Sequence, residues 1–73
     1  MSADYGKIAD YMIMIVSEYA SDKGITDLEA FWKLDACGGI EALEENYEIE
    51  HTLPISSTIE ALDALCARKG DAA

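Results

Sequence analysis

Apolar residues recur at helical spacing through the first third of the chain. Tyr5, Ile8, Met12, Ile15 and Tyr19 alternate steps of three and four, and Ala9, Ile13, Val16 and Ala20 form a second row beside them. At 100° per residue the two rows merge into one wide apolar face. The pattern predicts a central helix from about Asp4 to Lys23 that touches more than one neighbour, with Gly24 as a left-handed cap. A second helix is predicted from Thr26, because Thr26 and Glu29 form a capping box in which hydroxyl and carboxylate each satisfy an early backbone N–H. Leu28, Phe31 and Trp32 are its predicted apolar face, and it ends over Asp35 to Gly39, where Gly38-Gly39 makes a turn.

A short third helix is predicted from about Gly39 to Tyr47, with Ile40, Leu43 and Tyr47 inward and Glu41, Glu44, Glu45 and Glu48 on the other side. Like charges at this spacing weaken an isolated helix, so tertiary packing must hold it. Glu48 to Pro54 reads as irregular, since Pro54 drives Leu53 toward an extended conformation. A fourth helix is predicted to open with Ser57 as N-cap and Glu60 completing a second capping box. Ile59, Leu62, Leu65 and Cys66 form its stripe, Gly70 closes it, and Asp71 to Ala73 reads as a frayed tail. Strand signals are weak and no repeat or linker interrupts the chain. The expectation is one all-α domain over residues 1–73, a small orthogonal bundle of about four helices.

Length makes this core thin. A chain of 73 residues buries only about 60% of the surface its unfolded form exposes, so a partner or a second copy has burial to supply. Charge narrows the partner. Fifteen acids against five bases give a net charge of −10, and residues 34–67 carry no Lys or Arg. Such a surface repels phosphate backbones and anionic membranes, so neither nucleic acid nor membrane is expected. It attracts a basic protein face and speeds encounter with it.

The longest apolar run, Met12 to Val16, is far below the roughly 20 residues that span a bilayer. Asp4 and the lack of a basic leading segment do not read as a signal peptide. A cytoplasmic location is the expectation, and with it two reduced thiols at Cys37 and Cys66, at least one of them in the core.

Candidate chemistry is sparse. His51 is the one histidine and so the natural neutral-pH acid or base, but nothing in the spacing places a cysteine nucleophile beside it. Glu44, Glu48 and His51 carry a Glu-x-x-His spacing seen in bundle metal sites. One such pair makes no dimetal centre, and a solvated acidic face is the simpler reading. No phosphate loop, GxSxG elbow, HExxH or CxxC motif is present. No catalytic residue, cofactor or metal is therefore expected, and the chain does not read as an enzyme. The better clue is the ridge Lys7, Tyr11, Met14 and Glu18 on the polar side of the first helix, since exposed Met and Tyr suit a protein contact.

Glu45 to Thr52 reads Glu-Asn-Tyr-Glu-Ile-Glu-His-Thr, followed by Leu53-Pro54 and the Ile59-to-Leu65 helix. Together with Ile15 to Tyr19 and Ile25-Thr26, this resembles a family of small uncharacterised bacterial proteins, a domain of unknown function of about this length. Its most specific part is Tyr47, His51 and Thr52, a Tyr-x-x-x-His-Thr pattern. The resemblance implies a compact helical protein encoded beside other small proteins, some resembling ADP-ribosyltransferases, and hence an antitoxin-like or regulatory partnership. It implies no catalytic residues. It is compatible with structural roles, Tyr47 closing the third helix and His51 with Thr52 fixing the turn into the fourth.

Residues and resemblance together point to a small acidic protein–protein interaction module. Its contacts are expected on the ridge Lys7, Tyr11, Met14 and Glu18 and on the acidic face Glu41, Glu44, Glu45 and Glu48. The alternative is a self-assembling homodimer through the first helix.

Overall fold

The computed structural model describes the backbone of residues 5–72 and the side chains of 6–68. Asp4, the side chain of Tyr5 and Ala73, all part of the sequence reading above, lie outside them. Five helices follow one another: α1 (Tyr5–Lys23), α2 (Asp27–Ala36), α3 (Gly39–Glu45), α4 (Tyr47–Glu50) and α5 (Ile55–Ala72), with no strand among the described residues. The fold is an all-α bundle in which α1 packs on α2, α3 and α5. Its core is Ile15, Val16, Tyr19 and Ala20 of α1, Ala30 and Leu34 of α2, Leu43 of α3, and Ile59 and Leu62 of α5.

Helix boundaries follow local chemistry. Gly24 leaves α1 with φ 70°. Thr26 caps α2: its Oγ1 accepts the Glu29 amide at 3.1 Å, and its own amide donates to Glu29 Oε1 at 2.9 Å. The Gly38-Gly39 pair serves two needs. Gly38 has φ 83°, a left-handed conformation that costs other residues. A Cβ on Gly39 would stand 3.1 Å from Leu62 Cδ2 and 3.2 Å from Leu34 Cδ2 and the Leu34 carbonyl oxygen. The missing side chain lets α3 start directly against α2 and α5.

Several sequence expectations are corrected. The third helix stops at Glu45, and the segment expected to be irregular holds a separate helical turn, α4, so there are five helices among the described residues rather than four. The break falls at Asn46, whose backbone leaves the helical conformation with φ -108° and ψ 19° while its amide side chain and its backbone N–H both donate to the Ala42 carbonyl, at 2.9 and 3.0 Å. Ser57 is not an N-cap. The Pro54 carbonyl accepts the amides of Ser57 at 3.0 Å and Thr58 at 3.3 Å, so α5 opens directly after Pro54, whose missing N–H costs nothing at a helix start. Gly70 does not close α5, which runs to Ala72. Among the described residues only Gly24 and Gly38 have positive φ, and a glycine inside a helix costs only about 1 kcal/mol relative to alanine.

The face of α2 is also reversed. Leu28, Phe31 and Trp32 are exposed, at 63%, 38% and 61%, while Ala30 and Leu34 are fully buried. Two stripes compete on this helix. The narrower one wins because small Ala20 and Ala30, 2% and 0% exposed, let α1 and α2 approach closely. Cys37 then extends the same stripe and is bonded to Cys66, with a Cα–Cα distance of 5.0 Å. The two cysteines, expected as free thiols, are thus one disulfide joining the end of α2 to α5. A disulfide does not fit the reducing compartment with which two free thiols were expected.

Two outcomes follow from this packing. Leu34→Ala should lower stability by about 2–5 kcal/mol and Leu28→Ala by no more than about 0.5 kcal/mol, measured by urea unfolding; equal costs would contradict the assigned face. Thiol titration of protein unfolded without reductant should find no free cysteine. Because the bond spans a sequence separation of 29, reduction should remove about 3–4 kcal/mol, read as a lower midpoint of chemical unfolding.

Candidate functional site

The ridge on α1 is divided by the fold. Lys7, Met14 and Glu18 are exposed, but Tyr11 is half-buried. Its ring meets Tyr47 edge-on at a centroid distance of 5.4 Å, and its hydroxyl lies 3.4 Å from Thr58 Oγ1. Thr58, 1% exposed, has one hydroxyl proton and donates it to Glu50 Oε1 at 3.0 Å. The Tyr11 hydroxyl must then be the donor to Thr58. This relay ties α1 to α5 and α5 to α4, so Tyr11 is a packing residue and not part of a free contact ridge.

Tyr47, His51 and Thr52 do come together. His51 Nδ1 lies 2.7 Å from the Tyr47 carbonyl oxygen; a carbonyl only accepts, so Nδ1 carries the proton and donates. The imidazole stacks on the Tyr47 ring at 4.5 Å with an interplanar angle of 11°. The Thr52 hydroxyl donates to the Ile49 carbonyl at 2.7 Å. Both side chains add a second hydrogen bond to carbonyls at the end of α4 that already accept the backbone amides of His51 and Thr52, and Tyr47 hands this closed turn to Tyr11. A structural role accounts for every polar contact the three residues make here.

Glu41, Glu44, Glu45 and Glu48 are all exposed and form an acidic surface on α3 and α4. Among the described residues no group of three His, Cys, Asp or Glu side chains is placed to hold a metal ion. Cys37 and Cys66 are bonded to each other, so neither offers a thiolate to His51.

A groove between α1 and α2 escaped the sequence reading. Its volume is ≈ 440 Å³, and it is lined by Met12, Ile13 and Val16 of α1, Leu28 and Phe31 of α2, and Ile40 of α3. Ile13 is 68% exposed, and Trp32 stands at the edge with its ring 5.7 Å from Phe31. The available signal was the composition of α2: if Ala30, Leu34 and Cys37 are the inner stripe, Leu28, Phe31 and Trp32 have no place in the core of so small a domain.

Electrostatics elsewhere are local. Lys23 bridges Asp63 at 2.6 Å and Asp22 at 3.5 Å, which ties the end of α1 to α5; the Asp63 carboxylate raises its pKa above the usual lysine value. Hydrogen bonds from the Thr26 backbone and hydroxyl lower that of Glu29. Burial raises both Tyr11 and Tyr19 above 10.0, the first assisted by Glu50 and Tyr47 against the lowering effect of the Thr58 bond, the second by Asp63.

One family model, described as a protein of unknown function (DUF3791), matches residues 10–69. No curated protein and no solved structure matches the chain.

The raised tyrosines set an alkaline limit. A folded-state pKa above the unfolded value adds stability that is intact below pH 10 and is lost as pH climbs through the raised values. Phenolate absorbance of the folded protein should show late-ionising tyrosine, and Tyr11→Phe and Tyr19→Phe should each remove part of it. A late phase left unchanged by both substitutions would contradict the packing assigned to Tyr11 and Tyr19.

Proposed function

The chain belongs to the DUF3791 family of proteins of unknown function, and from that premise we propose that it is a small acidic module that binds another protein. The observation carrying this reading is the solvent-exposed set Ile13, Leu28, Phe31 and Trp32 on a domain of net charge −10. Large apolar side chains clustered on the surface of a small monomeric domain mark a contact face, and Trp and Phe are enriched in interface cores. Surrounding negative charge keeps the domain soluble and favours a basic partner. The acidic face of Glu41, Glu44, Glu45 and Glu48 broadens that attraction, while Lys7, Met14 and Glu18 form a second, weaker contact area. The partner we envisage is a co-expressed protein whose activity the module restrains, in the manner of an antitoxin or regulator. The alternative, a homodimer through the first helix, loses Tyr11 as a contact, since its hydroxyl is turned inward to Thr58.

The test is capture from an extract of the source organism on the immobilised intact chain, washed at low and at high salt, with mass spectrometry of what is retained. A stoichiometric, basic partner released by high salt is expected, with reduced capture by Leu28→Asp. Recovery of the bait alone at both salt concentrations would refute the module reading.

A further inference from the structure

The groove between α1 and α2 joins an apolar floor to an acidic rim, and the combination specifies what it can hold. Asp27 is part of its wall beside Leu28 and Phe31. Asp35 follows Phe31 by one helical turn on α2, Glu44 follows Ile40 by one turn on α3, and both are exposed. Lys7 and Lys33 each stand two positions from a lining residue, Ala9 and Phe31; at 100° per residue that places them on the opposite sides of their helices. Lys23, farther along α1, is held by Asp22 and Asp63. The negative rim is therefore not balanced by a neighbouring base on α1 or α2.

We infer that this groove receives an amphipathic helix of a partner protein, apolar on one face and flanked by lysine or arginine. The inference rests on the module reading above and names the chemistry of the partner. A helix suits the site because the groove runs between two helices, whose side-chain ridges accept a third. With 10 residues, α2 extends about 15 Å, enough for three apolar anchors spaced i, i+3 or i+4, and i+7. No strand edge exists among the described residues, so an extended segment finds no backbone template. A second copy is the wrong occupant: each carries a net charge of −10, and a two-fold contact through this groove would bring two acidic rims into one interface, where like charges repel.

Trp32 is the sole tryptophan of the chain and its ring lies 5.7 Å from that of the lining residue Phe31, so its fluorescence reports on the surroundings of the groove. The probe is a synthetic leucine–lysine helix of about 18 residues with leucines at i, i+3, i+4 and i+7, titrated into the intact protein. Two controls accompany it, the same helix with glutamate for lysine and a scrambled peptide of the leucine–lysine composition. Saturable binding with a blue shift of Trp32 is expected for the leucine–lysine helix and for neither control. Ile13→Asp and Leu28→Asp, at 68% and 63% exposed positions and checked for native circular dichroism, should each weaken it by about tenfold or more. No binding, equal binding of the scrambled peptide, or binding untouched by both substitutions would overturn the groove assignment. The two failures are separable: a natural partner captured equally by wild type and Leu28→Asp overturns the groove and leaves the module reading in place, whereas no captured partner overturns both.

Discussion

Everything in this domain hangs on the burial of one side of α1. Ile15 and Tyr19 are completely sequestered, with Val16 and Ala20 close behind, and the other helices are arranged to cover them. A 73-residue chain has little apolar surface to spare, so each covering element contributes only a few buried side chains, chief among them Leu34 from α2, Leu43 from α3, and Ile59 and Leu62 from α5. The short helices could not persist alone. Isolated helices of fewer than about 12–15 residues are marginal in water, and α3 with its glutamates is weaker still.

Close approach is the second condition. Ala20 and Ala30 let α1 and α2 meet, and Gly39 lets α3 press on Leu34 and Leu62. The disulfide from Cys37 to Cys66 fixes the end of α2 against α5. These small residues settle the rotation of α2, and that rotation turns Leu28, Phe31 and Trp32 outward. The apolar face proposed for binding is thus a by-product of how the core closes: the large side chains of α2 are excluded because small ones pack better against α1.

Polar contacts fasten the periphery. His51 and Thr52 close α4, Tyr47 connects it to Tyr11, and Thr58 passes a hydrogen bond on to Glu50. A Tyr-x-x-x-His-Thr pattern that invites a catalytic reading is accounted for by side-chain hydrogen bonds to helix-end carbonyls and by ring stacking. Lys23 does the same at the other end, bridging α1 to Asp63 of α5.

The sequence by itself determined the class of fold, the extent of α1, the capping box that starts α2, the inner stripe of α5 and the acidic exterior, because each is written in local periodicity, capping chemistry or charge. Tertiary structure decided the rest. Which of two stripes on α2 faces inward depends on how small residues on another helix fit it, and periodicity cannot rank the two. The break between α3 and α4 depends on the non-helical backbone of Asn46, and the start of α5 on Pro54 accepting amides ahead of a competing Ser57 cap. The disulfide needs two cysteines brought within 5.0 Å at Cα, a distance that no spacing along the chain encodes. The groove exists only where α1, α2 and α3 meet, so its lining could not be read before their packing was known.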